Sequence, residues 1–211
     1  ASFPTNVRLR PTAQGITINS GAHVTFRDTY VAGHSGASGV SALLRANGDV
    51  TLINTRFSNA QGDAISGNSS TLTCTKVRID NPAQDGIDGW GMTLSVDNLT
   101  VDRAGARGIY LQSSTLNGKG LRIFDSGEVG LDIKGTLALR DLFSQGNTYE
   151  GLVARWGSSG YVTNLLITNN KLSGVRIGAP VVLNYATITN NNSYGVQLEC
   201  GTAGQLPTIH N

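Results

Sequence analysis

A glycine followed by alternating hydrophobic residues returns every 21 to 24 residues along this 211-residue chain. That period constrains the fold more than any other feature, because a repeat of this length cannot bury a core alone and must stack on its neighbours. The element reads Gly15-Ile16-Thr17-Ile18, Gly39-Val40-Ser41-Ala42 and, degraded, Asp63-Ala64-Ile65-Ser66. It continues as Gly86-Ile87-Asp88-Gly89, Gly108-Ile109-Tyr110-Leu111 and Gly130-Leu131-Asp132-Ile133. Gly151-Leu152-Val153-Ala154, Gly174-Val175-Arg176-Ile177 and Gly195-Val196-Gln197-Leu198 complete the series.

A second element follows each first one. Leu94, Val96, Leu99 and Val101 alternate in pairs separated by the step Asp97-Asn98, and Leu72, Cys74, Val77 and Ile79 do the same one repeat earlier. Alternation with period two predicts strands with every other side chain inward, and the step predicts a bend between two strands. Each repeat therefore supplies three short strands, and about nine such coils stack into an all-β parallel solenoid over residues 15–200. Spacings of three and four, the mark of helices, are scarce. Residues 1–14 read as an irregular cover, with Pro4 and Pro11, and residues 201–211 as an irregular tail, the whole forming one domain. The last repeat looks unfinished, so the chain reads as a piece of a longer protein. Thr168-Asn169-Asn170 recurs as Thr189-Asn190-Asn191, with Asn147 and Asn81 near the same turn, a pattern expected to build asparagine ladders up the stack.

Composition narrows the function classes. Hydrophobic residues are 39% and charged residues 14%, enough apolar matter for a core, and no run approaches the ~20 apolar residues of a membrane span. A net charge of +2 gives no reason to expect a nucleic-acid partner. Cys74 sits at an inward strand position, and with Cys200 it makes neither a disulfide framework nor a metal motif. His23, His34 and His210 are scattered, so no metal site or triad is expected.

In a stacked solenoid, equivalent outward residues form columns. For the first strand the columns read Thr17, Ser41, Ile65, Asp88, Tyr110, Asp132, Val153, Arg176 and Gln197, and beside them Asn19, Leu43, Gly67, Trp90, Gln112, Lys134, Arg155, Gly178 and Glu199. The middle of this face gathers Trp90, Tyr110, Gln112, Lys134, Arg155 and Arg176 as candidate substrate-binding residues. Aromatic rings stack on sugars, amides and carboxylates meet hydroxyls, and arginine pairs with acidic groups. Asp85, Asp88 and Asp132 are the candidate catalytic carboxylates. Coils lie ~4.8 Å apart, so Asp88 and Asp132, two coils apart, have backbones roughly 10 Å apart. Carboxyls ~6.5–9.5 Å apart suit an inverting acid–base pair. Asp63 and Asp85 lie nearer, about one coil apart.

The glycine–hydrophobic strand, the bent strand pair and the asparagine-rich turns together resemble the pectin-lyase-like superfamily of right-handed parallel β-helices, over about residues 15–200. The resemblance implies a right-handed single-stranded solenoid. It covers polysaccharide lyases, glycoside hydrolases, epimerases, phage tailspikes and non-catalytic adhesins, so it implies no single chemistry. Asp85-Gly86-Ile87-Asp88 is similar to the Thr-Asp-Gly-Ile-Asp of polygalacturonases, whose first aspartate is catalytic and falls on Asp85. Ala83-Gln84 and Arg107-Gly108 depart from that family's pattern. The expectation is a polysaccharide-binding protein; whether it also degrades its glycan stays open, and if it is an enzyme an inverting glycoside hydrolase with a carboxylate pair fits better than a lyase or an epimerase. The alternative is a structural or adhesin domain of a surface or phage-tail protein, a homotrimer if tailspike-like. Either places the protein outside the cell, at its surface or on a virion tail. No organic cofactor is expected, and the lyase resemblance only weakly suggests Ca2+.

Overall fold

The computed structural model describes residues 7–10, 15–33, 42–199 and 207–210. These hold nineteen strands, paired in parallel from coil to coil, and no helix. One rung shows the plan. Ile87–Trp90 lies in the first sheet, and Thr93–Asp102 supplies the second and third sheets in one bent strand. Leu94 and Val96 point inward before the bend, Leu99 and Val101 after it, and all are buried.

The bend is the single residue Asn98, in the left-handed region at φ 62°. One such residue lets both flanking strands keep their apolar sides inward despite the change of direction. The equivalent positions Asp28, Asn54, Lys76, Gly120, Asp141, Asn164 and Tyr185 all have φ between 48° and 70°. Aspartate and asparagine tolerate this region because their short polar side chains bond locally. Here they also bond between coils: the Asn54 amide donates to Asp28 at 2.6 Å and that of Asn164 to Asp141 at 2.6 Å.

The expected asparagine ladder forms as Asn147, Asn170 and Asn191. The Asn147 side-chain amide donates to Asn170 Oδ1 at 2.8 Å, and that of Asn170 to Asn191 Oδ1 at 2.9 Å. Asn81 belongs to the neighbouring column, where its amide donates to Asn59 at 3.0 Å.

The core is a set of aliphatic stacks running up the axis. Ile65, Ile87, Ile109, Leu131, Leu152 and Val175 form one, each fully buried. Cys74 is the expected inward small hydrophobe, at 0% exposure between Leu52 and Val96, and burial pushes its thiol up to about 12. Where glycine interrupts the inward column at Gly67 and Gly89, the Met92 thioether fills the gap. A Cβ at Gly89 would lie 2.2 Å from Met92 Sδ.

Three expectations need correction. The first-sheet column has nine rungs, from Ile16–Ile18 to Val196–Leu198, which makes eight full turns between them. In the second rung the strand is Leu44-Arg45-Ala46, paired with Ile16–Ile18; Gly39, Val40 and Ser41 lie outside the described residues, and Leu43 is buried. In the third rung Ile65, not Ala64, aligns with Ile87, so Ile65 and Gly67 turn inward and Ser66 faces out. A one-residue slip exchanges the two faces of a strand, and burying Ile65 decides the register.

Within the segments expected to be irregular, Val7–Leu9 pairs with Thr29–Ala32 and Thr208–His210 pairs with the second-sheet strand Val181–Thr189. Residues 1–6 and 11–14 of the cover, His34, Cys200 and residues 201–206 and 211 of the tail lie outside the described residues. Among the described residues no helix is long and apolar enough to cross a membrane.

Candidate functional site

The first sheet carries the expected face, and its register is continuous. Asp88, Tyr110 and Asp132 are consecutive partners in one outward column, and Trp90, Gln112 and Lys134 in the next. The Arg155 N–H donates to the Ile133 carbonyl at 2.8 Å, which sets Arg155 one rung above Lys134. Arg176 pairs with Val153 on its rung and continues the first column. The sheet thus gathers eight of the nine candidate residues on adjoining columns, and the ninth, Asp85, stands just before the Asp88 strand.

The arginines on this face are held by acids from neighbouring coils. Arg107 donates to Asp85 through Nε at 3.2 Å, Nη2 at 2.9 Å and its backbone N–H at 2.7 Å. Arg155 grips Asp132 in the same bidentate way, through Nε at 2.5 Å and Nη2 at 2.6 Å. Asp132 is 1% exposed, so the acid expected to face out lies beneath its partner's guanidinium. Arg176 reaches Glu150 at 3.2 Å and Glu199 at 3.1 Å. A planar guanidinium held at two points keeps its orientation, unlike a flexible ammonium. The Arg107 guanidinium lies 3.4 Å from the Tyr110 ring centroid, which fixes that ring against the sheet.

Asp63, Asp85 and Asp88 form the acidic end of the face. The Asp85 N–H donates to Asp63 Oδ1 at 3.0 Å, one coil apart as the period implies. Burial pushes the Asp63 carboxyl up to about 6, with the charges of Asp85 and Asp88 adding to the effect. Burial, and then the Asp85 charge, also raise Asp88, against the pull of Arg107. The Asp88 carboxyl makes no hydrogen bond or ion pair with a described residue, whereas both oxygens of Asp85 and of Asp132 are engaged. Among the described residues no group of three or more His, Cys, Asp or Glu is placed to hold a metal ion.

The opposite character appears along the edge where the strands end. Trp90 is 62% exposed and Trp156 46%. Lys134 is exposed and, alone among the cations from Arg107 to Arg176 on this face, has no acid partner among the described residues. Sequence reasoning misses Trp156 and Glu150. Trp156 falls just after the alternating strand, in a turn where no periodicity points to it. The arginine pairs do leave a signal, since an arginine follows two of the buried aspartates one coil later, at 85 and 107 and at 132 and 155.

No curated protein and no solved structure matches the chain. The family model for the right-handed β-helix region matches residues 85–211, more than half of the chain and the part that bears most of this face. With parallel strands stacked in three sheets over that same stretch, the chain belongs to the right-handed β-helix family.

Proposed function

We propose that the outer face of the first sheet binds a polysaccharide lying along the solenoid axis. The observation that carries this reading is Trp90, a tryptophan 62% exposed on a flat sheet beside the raised carboxyl of Asp88. A large exposed ring on a parallel strand adds nothing to the core, and sugars present the apolar face that such a ring takes. Tyr110, Gln112, Lys134, Arg155 and Arg176 continue the surface over the next four rungs with hydroxyl, amide and cationic groups. A glycan ligand fits a protein that works outside the cell or on a virion tail.

Degradation is the second reading, and Asp88 favours it. General acid catalysis on a glycosidic oxygen needs a carboxyl that keeps its proton longer than usual, and burial gives Asp88 that property. In this reading Asp85 and Asp132 hold Arg107 and Arg155 in place while Asp88 handles the proton. The non-catalytic alternative keeps the same binding surface without the proton transfer.

A panel of immobilised polysaccharides tests both readings, scored for retention and for release of reducing ends or unsaturated products. Retention lost in Trp90→Ala and kept in Asp88→Asn supports binding at this face. Product release that falls about a hundredfold or more in Asp88→Asn supports hydrolysis. Equal retention of the Trp90→Ala variant and the parent refutes the binding reading, and product release unchanged in Asp88→Asn refutes the catalytic one.

A further inference from the structure

The chain has two tryptophans, and both lie along the same edge of the same sheet. Trp90 ends its strand, and Gln112, Lys134 and Arg155 follow it one rung at a time. Trp156 follows Arg155, so the backbones that carry the two indoles are three rungs, or about 14 Å, apart. The Trp156 ring is not turned away from the face. A Cβ on Gly178, the residue above Arg155 in this column, would sit 2.9 Å from Glu199 Oε2, which is held by Arg176, and 3.1 Å from Trp156 Cδ1. The Cδ1 edge of the indole therefore lies against the column at Gly178, beside the Glu199 carboxylate.

Gly157, at φ 83°, follows Trp156, and a Cβ there would touch Lys134 Cε at 3.5 Å. The Lys134 stem thus passes beside the Trp156 turn, and its ammonium has no acid partner among the described residues. Two exposed rings with an unneutralised cation between them form a linear arrangement, and the rung spacing is close to the length one pyranose adds to an extended β-linked glycan.

Resting on the polysaccharide-binding reading, we infer that Trp90 and Trp156 are two sugar platforms of one track, which takes an extended β-linked acidic glycan with one carboxylate on Lys134. A sugar on Trp90 and the third sugar beyond it on Trp156 would both stack, with Gln112 and Lys134 meeting the units between. The track runs from the acidic cluster of Asp63, Asp85 and Asp88 past Lys134, unpaired among the described residues, the arginines beyond it being held by acids. Its polarity gives the glycan a direction, with the unit nearest Asp88 being the one held away from the cation.

Intrinsic fluorescence tests this directly, because Trp90→Phe and Trp156→Phe each leave a single reporter. The probes are a β-1,4-linked mannuronate hexamer, its dimer, and cellohexaose as the neutral counterpart. The hexamer should perturb both reporters with one Kd, and the dimer should bind at least about tenfold more weakly. Trp156→Ala should weaken the hexamer about tenfold and the dimer little, the size expected of a buried aromatic anchor. Lys134→Gln should erase the preference for mannuronate over cellohexaose. Circular dichroism of each variant checks the fold. If the hexamer perturbs Trp90 alone, or Trp156→Ala binds it as the parent does, the track is wrong and the glycan reading stands. If cellohexaose binds as well as the mannuronate hexamer, the acidic part is wrong. If neither reporter responds to either hexamer, the β-linked track is wrong, and the glycan reading is then decided by retention of the parent and Trp90→Ala on the polysaccharide panel.

Discussion

Replacing Asp63 with asparagine should remove a defined part of the protein's pH dependence of stability. Asp63 is 8% exposed, and burial is the first cause of its rise from 3.8 to about 6. The Asp85 N–H bond and Arg107 oppose the rise, while the charges of Asp85 and Asp88 add to it. In the unfolded chain the carboxyl returns to its ordinary value. Below pH 3.8 both states hold the proton and the residue contributes nothing to the pH dependence. Between 3.8 and 6 the folded state keeps a proton that the unfolded state releases, so stability falls as pH rises. Above 6 the penalty is complete, and about two pKa units at ~1.4 kcal/mol each make it about 3 kcal/mol. Asparagine retains an acceptor for the Asp85 N–H and cannot ionise. Denaturant titrations of the parent and Asp63→Asn, taken from about pH 3.5 to about pH 8, isolate the effect as a difference between two curves. The variant should gain about 3 kcal/mol on the parent across the window and no more above it, or roughly 6–12 °C in Tm for a chain of this size. A difference that stays constant from pH 4 to pH 7, or that changes with the opposite sign, refutes the reasoning.

The other expectations concern the ladder, the core and the thiol. Asn170→Ala removes the acceptor of both the Asn147 backbone N–H and its side-chain amide, and should cost about 2–4 kcal/mol by chemical denaturation. Gly89→Ala drives a methyl into the Met92 thioether and should destabilise by about 1–3 kcal/mol; Met92→Ala in the same chain should recover part of that loss, giving a negative coupling energy in a double-mutant cycle. In a Cys200→Ser background the Cys74 thiol, fully buried and pushed up to about 12, should resist a thiol-labelling reagent at pH 8 until denaturant is added.

The repeat made the stacked architecture legible because the solenoid turns sequence period into neighbourhood. Leu94, Val96, Leu99 and Val101 pointed inward and the bend fell on Asn98, one half of the step where alternation breaks. Where the period faltered, so did the reading. The longer second coil hid the strand at Leu44–Ala46, and the absence of a glycine before Ile65 shifted the third rung by one residue. The face columns from Asp88 to Arg176 were read in register. What alternation could not tell was which outward residue is covered: Asp132 occupies an outward position and is buried by Arg155, an arrangement set by side-chain length and charge. Trp156 was invisible for a related reason, since its position depends on a turn at Gly157 and on the space above Gly178.

The pairing of charges separates what this face needs for folding from what it carries beyond that. A carboxylate as buried as Asp85 or Asp132 would be costly without its guanidinium, so Arg107 and Arg155 are accounted for by stability. Glu150, 6% exposed, accounts for Arg176 in the same way. The same reasoning accounts for none of Asp88, Trp90, Lys134 and Trp156. Among the described residues neither the Asp88 carboxyl nor the Lys134 ammonium has a bonded partner, Asp88 is disfavoured as an ion where it stands, and the two indoles leave much of their surface in water. A face selected only as a solvated wall would have no use for a raised carboxyl and two bare rings along one edge. Trp90, Lys134 and Trp156 follow the strand-end edge over four rungs, and Asp88 stands in the adjoining column on the Trp90 rung, so the proposed ligand along that edge would account for all four at once. Asp88 alone among them distinguishes a cleaved ligand from a held one, because removing its charge would alter proton transfer while leaving both rings and the cation in place.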